Sequence, residues 1–109
     1  MPGEFQLILH GGVVDERLRP RLVQEIRRIY ASIFAAAEGQ AVVEITEIPT
    51  GWFFTAAEPS RSSLVGGTVA AGTSRSDRTR LMAEISAMWC ATTGCAPNEI
   101  VVSVSDDGA

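Results

Sequence analysis

The sequence predicts an α/β (α+β) fold, in which two tandem β-α-β units form a four-stranded sheet with two helices on one face. Strand-like and helix-like patterns follow each other in the same order twice, and the starts of the two long strands lie about 37 residues apart in each half. With 109 residues, 46% of them hydrophobic, the chain is long enough for one core. We therefore expect one domain over residues 1–109, with β-α-β units at 2–49 and 62–106.

The first unit begins with apolar residues at every second position of 4–10, which predicts a strand almost at the N-terminus. Apolar residues then recur at spacings of 4, 4, 3, 4 and 4 over 18–37, as on one face of a helix. Pro20 suits the first turn of that helix, and Gly39 suits its end. The β-branched segment 41–48 predicts the second strand.

The second unit begins with a predicted strand at 63–71, in which Gly66-Gly67 indicate a bulge or a close backbone approach. Ser74 opens a capping-box spacing before an apolar periodic segment that ends at Gly94, which predicts the second helix. The last predicted strand is 100–104.

A short aromatic strand at 52–54 and a turn at 58–61 are expected between the two units. Two strands joined through a helix are normally parallel and right-handed, so both helices should cover the same face of the sheet. The strands carry apolar residues on both faces, which favours burial of the other face in an oligomer.

Composition excludes several classes of function. The net charge of −4 argues against a general nucleic-acid binder, and no apolar stretch is long enough to span a membrane. His10 is the one histidine, which excludes a multi-histidine metal centre, and the absence of lysine excludes Schiff-base chemistry through that residue. Cys90 and Cys95 do not form a disulfide scaffold or a redox or metal motif, and no signal peptide is visible, so a cytoplasmic location is expected.

Pro2 is the candidate for chemistry. A methionine that precedes proline is normally removed, which would leave a prolyl secondary amine at the start of the first strand. Burial and nearby cations would lower the proton affinity of that amine from the ordinary α-amino range of about 7.7–8.0. A base that works near neutral pH is suited to proton abstraction beside a carbonyl.

Several features together resemble the tautomerase superfamily, in particular its 4-oxalocrotonate tautomerase, cis-3-chloroacrylic acid dehalogenase and macrophage migration inhibitory factor groups. These features are Met1-Pro2 leading into a strand, the doubled β-α-β pattern, and the segments at 49–57, 75–85 and 96–100. The resemblance covers essentially the whole chain. It implies a homotrimer with an N-terminal proline that acts as general base in tautomerisation or as general acid in hydration and dehalogenation, with no cofactor.

The resemblance also implies site residues. Arginines bind the substrate carboxylate in the family, and Arg75 and Arg78 are the candidates here, although the family places an arginine at the position of Thr73. Tyr30 lies where the dehalogenase group has a histidine, so we expect it to contact substrate or water unless it is a core tyrosine. The family's tyrosine on the last strand falls at Ser103, a further candidate substrate contact.

Trp52 and Phe54 either line an apolar pocket or pack in the core. His10 lies too far along its strand from Pro2 to reach the same pocket, so a structural or surface role is expected. The loss of the last-strand tyrosine and of a C-terminal arm that carries a glutamate in the dehalogenases weighs against dehalogenation.

We therefore expect a cofactor-independent isomerase that acts on a small carbonyl or enol substrate, such as a 2-oxo acid. Two alternatives stay open: a non-catalytic tautomerase-like binding or scaffold trimer, and a hydratase or decarboxylase of small unsaturated or β-keto acids that uses the same proline as general acid.

Overall fold

The computed structural model describes residues 3–49, 52, 54–55, 58–59 and 61–106, with the backbone alone at 38, 54–55 and 58–59. Short 3-10 turns precede α1, β2 and β6. The helices and strands are β1 (Gly3–His10), α1 (Arg19–Phe34), β2 (Ala41–Ile48), β3 (Phe54–Thr55), β4 (Glu58–Pro59), β5 (Ser63–Val69), α2 (Arg75–Thr93) and β6 (Ile100–Asp106).

The four long strands form one mixed sheet in the order β2-β1-β5-β6. β1 and β2 are parallel, β5 and β6 are parallel, and the central pair β1 and β5 is antiparallel. The predicted fold of two β-α-β units that share one sheet is therefore confirmed. β3 and β4 form a separate two-stranded antiparallel ribbon.

The core lies between the sheet and the helices. Burial alternates along most of β1: Phe5, Leu7 and Leu9 are buried on the face toward the helices, whereas Glu4 and Gln6 on the other face are exposed. The same helix-facing side of β5 is buried, and each helix contributes one apolar face. The largest fully buried apolar side chains are Leu7, Leu9, Leu22, Ile26, Val65, Val69, Leu81, Ile85 and Trp89.

The topology brings four chain segments to one end of the sheet, here named the Gly3 end. β1 begins there, and α1 runs back from the opposite end so that its last turns reach Gly3. Because β5 is antiparallel to β1, with Glu4 opposite Thr68, β5 finishes at the same end. α2 begins six residues after Val69 and therefore starts there too.

Helix α1 is shorter than its pattern predicts. It ends at Phe34, because Ala35 adopts a left-handed conformation with φ of 50° and the N–H of Ala36 donates to the carbonyl of Ala31 at 3.1 Å. This bond pattern closes a helix before a glycine is reached. Residue 37 and Gly39, which the spacing placed inside and at the end of the helix, thus belong to the connection to β2.

Two further details differ from the prediction. Gly66 and Gly67 pair in unbroken register with β1, so there is no bulge; the close approach is that of the Phe5 ring to Gly67. Glu58–Pro59, expected in a turn, pairs with Phe54–Thr55 instead.

Among the residues described, no helix combines the length and the apolar character that crossing a membrane requires.

Candidate functional site

Tyr30 packs directly against the backbone at the start of β1. A Cβ atom added to Gly3 would lie 2.6 Å from Cε2 of the Tyr30 ring, closer than any real side-chain contact. Pro2 itself lies outside the described residues, but it is covalently bound to Gly3 and is therefore a chain neighbour of this contact. Tyr30 and the N-terminal segment thus meet at the Gly3 end, although 27 residues separate Gly3 from Tyr30.

An aromatic cluster holds the Tyr30 ring in place. The Phe34 ring lies 4.8 Å away between centroids, and the Phe5 ring stands edge-on at 6.0 Å. Tyr30 is 3% exposed, so the ring is a core element as well as a neighbour of the N-terminal segment. The burial of Tyr30 confirms the core role expected for it, whereas its contact with substrate stays a prediction.

The sequence did not indicate that Gly3, Phe5 and Phe34 surround the Tyr30 ring. A glycine that directly follows the candidate proline was the available signal, because a strand position without a side chain permits the close approach of a ring.

Arg75 and Arg78 lie on the first turn of α2, at the same Gly3 end. Ser74 caps this helix, its Oγ accepting from the N–H of Asp77 at 3.1 Å, as the capping spacing predicts. Arg75 is exposed, whereas Arg78 is half-buried, and its buried Nε has no hydrogen-bond partner among the described residues. Neither arginine is in an ion pair with a described carboxylate.

Most other arginines of the described chain have a hydrogen-bond or ion-pair partner. Arg27 donates to the carbonyl of Ala41, and five arginines pair with carboxylates: Arg17, Arg19, Arg28, Arg61 and Arg80. The positive charge of Arg75 and Arg78 is therefore the more available for an anionic ligand. A helix N-terminus adds to it, since its free N–H groups favour negative charge.

Thr73, which stands where the tautomerase superfamily is expected to have an arginine, stabilises a tight turn. Its hydroxyl donates to the carbonyl of Ala70 at 2.7 Å, and its N–H donates to the same oxygen at 3.2 Å. Gly72 supplies the positive φ of 84° that this tight turn needs. The turn delivers the chain directly to α2, which makes Arg75 the first arginine after it.

Ser103 lies on the helix-free face of the sheet, away from the Tyr30 cluster. It is exposed in mid-strand, in line across the sheet with Gly66 and Gln6. This face carries a groove of about 430 Å³ whose floor is largely polar. The structure does not bring Ser103 together with Tyr30 within one chain.

Trp52 is 74% exposed, so the prediction that its side chain packs in the core of one chain is wrong. The side chain of Phe54 lies outside the described residues. Val42 and Val101 are further exposed apolar residues, both on strands of the sheet, at 44% and 48%. The helix-free face thus carries exposed apolar side chains beside the polar residues that line its groove.

His10 is buried at the end of β1 opposite Gly3. Of the two roles expected for it, the surface role is therefore wrong, and its burial fits the structural role. No cluster of three metal-ligating side chains occurs in the described part of the chain. The start of β1, the last turns of α1 and the start of α2 lie at the same end of the sheet, and these elements carry Gly3, Tyr30, and Arg75 with Arg78.

Solved structures share this fold. The native protein Ps01740 is similar with a TM-score of 0.89 and 26% identity, over 94% of this chain and 92% of that one. The protein N1, a member of the cis-3-chloroacrylic acid dehalogenase family, is similar with a TM-score of 0.87 and 15% identity, over 94% and 73%. A fused 4-OT, described as a symmetric trimer, is similar with a TM-score of 0.84 and 14% identity, over 94% and 84%.

No family model matches the sequence, and no curated protein matches it either.

Proposed function

We propose that this chain, which has the fold of the tautomerase superfamily, is a cofactor-independent tautomerase whose N-terminal proline acts as general base on a small carbonyl or enol substrate. The substrate class that suits the site is a 2-oxo acid or its enol. Pro2 is the proposed base, Arg75 and Arg78 the proposed carboxylate contacts, and Tyr30 the residue that orients the substrate.

The observation that supports this proposal is that the topology brings the start of β1, the last turns of α1 and the start of α2 to the same end of the sheet. Gly3, next to Pro2, contacts the ring of Tyr30. Arg75 and Arg78, which have no ion-pair partner among the residues the structure describes, lie in the first turn of the helix that begins at the same end. An apolar ring and positive charge are the surroundings that lower the proton affinity of an amine and stabilise an enolate.

The proposed reaction moves one proton and leaves the composition of the substrate unchanged. The Pro2 amine, freed by loss of Met1, takes a proton from the carbon beside the ketone or from the enol hydroxyl. The arginine guanidinium groups hold the carboxylate and offset the negative charge that develops on the enolate oxygen. The protonated amine then returns the proton at the other position of the conjugated system.

The test follows ketonisation of 2-hydroxymuconate and of the enol of phenylpyruvate by absorbance, with the intact mass showing whether Met1 is removed. Loss of a general base typically lowers kcat by about 10²–10⁴-fold, which we expect for Pro2→Ala. Arg78→Ala should raise KM by about tenfold through a lost charge-assisted bond. Arg80→Ala is the matched control, since Arg80 lies on the same helix and pairs with Glu84 at 2.7 Å.

Unchanged turnover in the Pro2→Ala variant would remove Pro2 from the mechanism. Retention of Met1 in all molecules would do the same, because the proline nitrogen would then be an amide. A chain with no turnover of either substrate but specific binding of 2-oxo acids would support the alternative of a non-catalytic binding trimer, which the serine at position 103 favours.

A hydratase or decarboxylase that uses Pro2 as general acid is a second candidate, favoured by the likeness to a dehalogenase-family member. Product analysis with small unsaturated acids and β-keto acids distinguishes it, since added water or lost CO₂ changes the mass of the product whereas tautomerisation does not.

We further propose that the working form is a homotrimer, as the similar fused 4-OT is described to be. The helix-free sheet face and Trp52, which is 74% exposed in one chain, are the proposed contacts between copies. Light scattering of the wild type and of Trp52→Ala measures this directly, and a monomeric wild type would contradict it.

A further inference from the structure

Two thiols lie in contact at the end of α2 that is remote from the proposed active site. Cys90 belongs to the last turn of the helix, and Cys95 follows its glycine cap. Their Sγ atoms are 3.7 Å apart, and both thiols are free and half-buried. A disulfide bond needs about 2.05 Å between the sulfurs, so bond formation would bring the two Sγ atoms roughly 1.6 Å closer than in the reduced chain.

The helix cap holds the two residues in this relation. The N–H of Gly94 donates to the carbonyl of Cys90 at 2.9 Å, with Gly94 in the left-handed region at φ of 76°. The N–H of Cys95 donates to Oγ1 of Thr93 at 3.2 Å, and this hydroxyl in turn donates to the carbonyl of Trp89 at 2.8 Å. Because these hydrogen bonds hold the backbone between the two cysteines, the thiols lie close together in the folded chain as a result of the cap geometry.

The two thiols differ in access. Cys95 lines a small groove of about 150 Å³ that also touches Thr93 and Glu99, whereas Cys90 does not line it. Burial raises the pKa of the Cys90 thiol, and the hydrogen bond with Cys95 and the charge of Glu99 act in the same direction. Because Cys95 lines the groove and Cys90 does not, Cys95 is where an oxidant in the groove would react first.

We propose that Cys90 and Cys95 form a reversible dithiol–disulfide modification site, oxidised by a small-molecule disulfide such as oxidised glutathione. The thiolate of Cys95 attacks one sulfur of the glutathione disulfide, the S–S bond breaks, and one glutathione thiolate leaves. The thiolate of Cys90 then attacks Sγ of Cys95 and expels the second glutathione. The chain loses two thiol protons and two electrons, and one glutathione disulfide becomes two glutathione molecules.

The bridge would join the last turn of α2 to the residue beyond its cap. It would therefore oppose fraying of the helix end, which reduces the rate of amide exchange over 90–95. The site does not use any residue of the proposed active site, so its outcome is independent of the proposed tautomerase activity.

Intact-mass spectrometry of the folded protein after incubation with oxidised glutathione tests the proposal. We expect the wild type to lose its two thiol hydrogens and to carry no glutathione, with peptide mapping linking Cys90 to Cys95. Cys90→Ser should instead accumulate a glutathione adduct on Cys95, and Cys95→Ser should form its adduct on Cys90 more slowly. Addition of dithiothreitol should restore the reduced mass and faster exchange of the 90–95 amides.

A wild type that stays reduced, that retains glutathione as a mixed disulfide, or that links chains to each other would overturn the proposal. The same incubation in urea is the control, because unfolding breaks the cap and should make glutathione adducts prevail over the internal bridge. If the serine variants do not fold, the wild-type mass and peptide map alone decide the question.

Discussion

Replacing Gly3 with alanine tests the contact on which the candidate site depends. In the native chain the Tyr30 ring covers the Gly3 backbone, with Cε2, Cζ and Cδ2 at 2.6, 3.0 and 3.1 Å from the position of an added Cβ. Ordinary van der Waals contact begins at 3.4 Å, so the ring must retreat by about 0.8 Å to admit the methyl group.

The ring has little room for that movement. Phe34 lies 4.8 Å from its centroid and Phe5 6.0 Å, and the side chain is 3% exposed. Overpacking of this kind costs about 1–3 kcal/mol. For a domain of about 100 residues, each kcal/mol lowers Tm by roughly 4 °C or more, so we expect Gly3→Ala to melt about 4–12 °C below the wild type.

Urea unfolding at one fixed protein concentration measures the free energy of unfolding of four chains: the wild type, Gly3→Ala, Tyr30→Leu and the double variant. Tyr30→Leu removes the ring, so the alanine should add little further loss in that background, and the coupling energy should reach about 1–3 kcal/mol. Gly39→Ala is the control, because a Cβ there meets nothing within 4 Å and φ is not positive.

The reasoning is refuted if Gly3→Ala is as stable as the wild type, or if the two substitutions are simply additive. A destabilised but active Gly3→Ala chain would show that the contact between Gly3 and Tyr30 stabilises the fold but that the position of Tyr30 does not affect turnover.

Three other predictions concern single positions. Gly67→Ala should lose about 1–3 kcal/mol because its Cβ would lie 2.7 Å from a ring atom in β1, whereas Gly66→Ala, with nothing within 4 Å, should be unchanged by urea titration. Ser74→Ala should cost about 1 kcal/mol by removing the N-cap bond of α2, as thermal unfolding would report. The pKa of Glu25 lies below its ordinary value because Arg28 donates a hydrogen bond to its carboxylate. This exposed pair stabilises the fold by about a few tenths of a kcal/mol at pH values above the ordinary carboxyl pKa, and that stability is lost as the pH falls through the lowered pKa. Glu25→Gln should remove this part of the pH dependence of the free energy of unfolding.

The order and type of the main elements followed from local patterns. β2 lies at the predicted residues, β1 and β5 differ by one or two residues at an end, and the cap of α2 is the one its spacing predicts. The end of α1 was predicted wrongly because no residue type announces it. Ala35 takes a left-handed conformation that glycine or asparagine normally supplies, since the chain must turn back there to begin β2.

The candidate site was accessible from the sequence only in part. Tyr30, Arg75 and Arg78 were selected through the family resemblance, and they lie on the ends of α1 and α2 that share one end of the sheet. That Arg75 and Arg78 form no ion pair with a carboxylate of the described residues was not visible from the sequence, because an ion pair such as that of Arg19 with Glu47 joins residues far apart in the chain. The exposure of Trp52 also had no signal, since an aromatic side chain has the same apolar character inside a core and on a surface.

The chain by itself determined which segments are strands, which are helices and which face of each is apolar, because these properties depend on side chains a few residues apart. Only the tertiary structure decided that β1 pairs antiparallel with β5, which turns the start of α2 toward the end of α1, and that a helix cap brings the two sulfurs to 3.7 Å. An alternating strand satisfies its pattern against either neighbour and in either direction. The choice between them comes from the fit of whole layers, such as the Phe5 ring over Gly67, which no local window of residues contains.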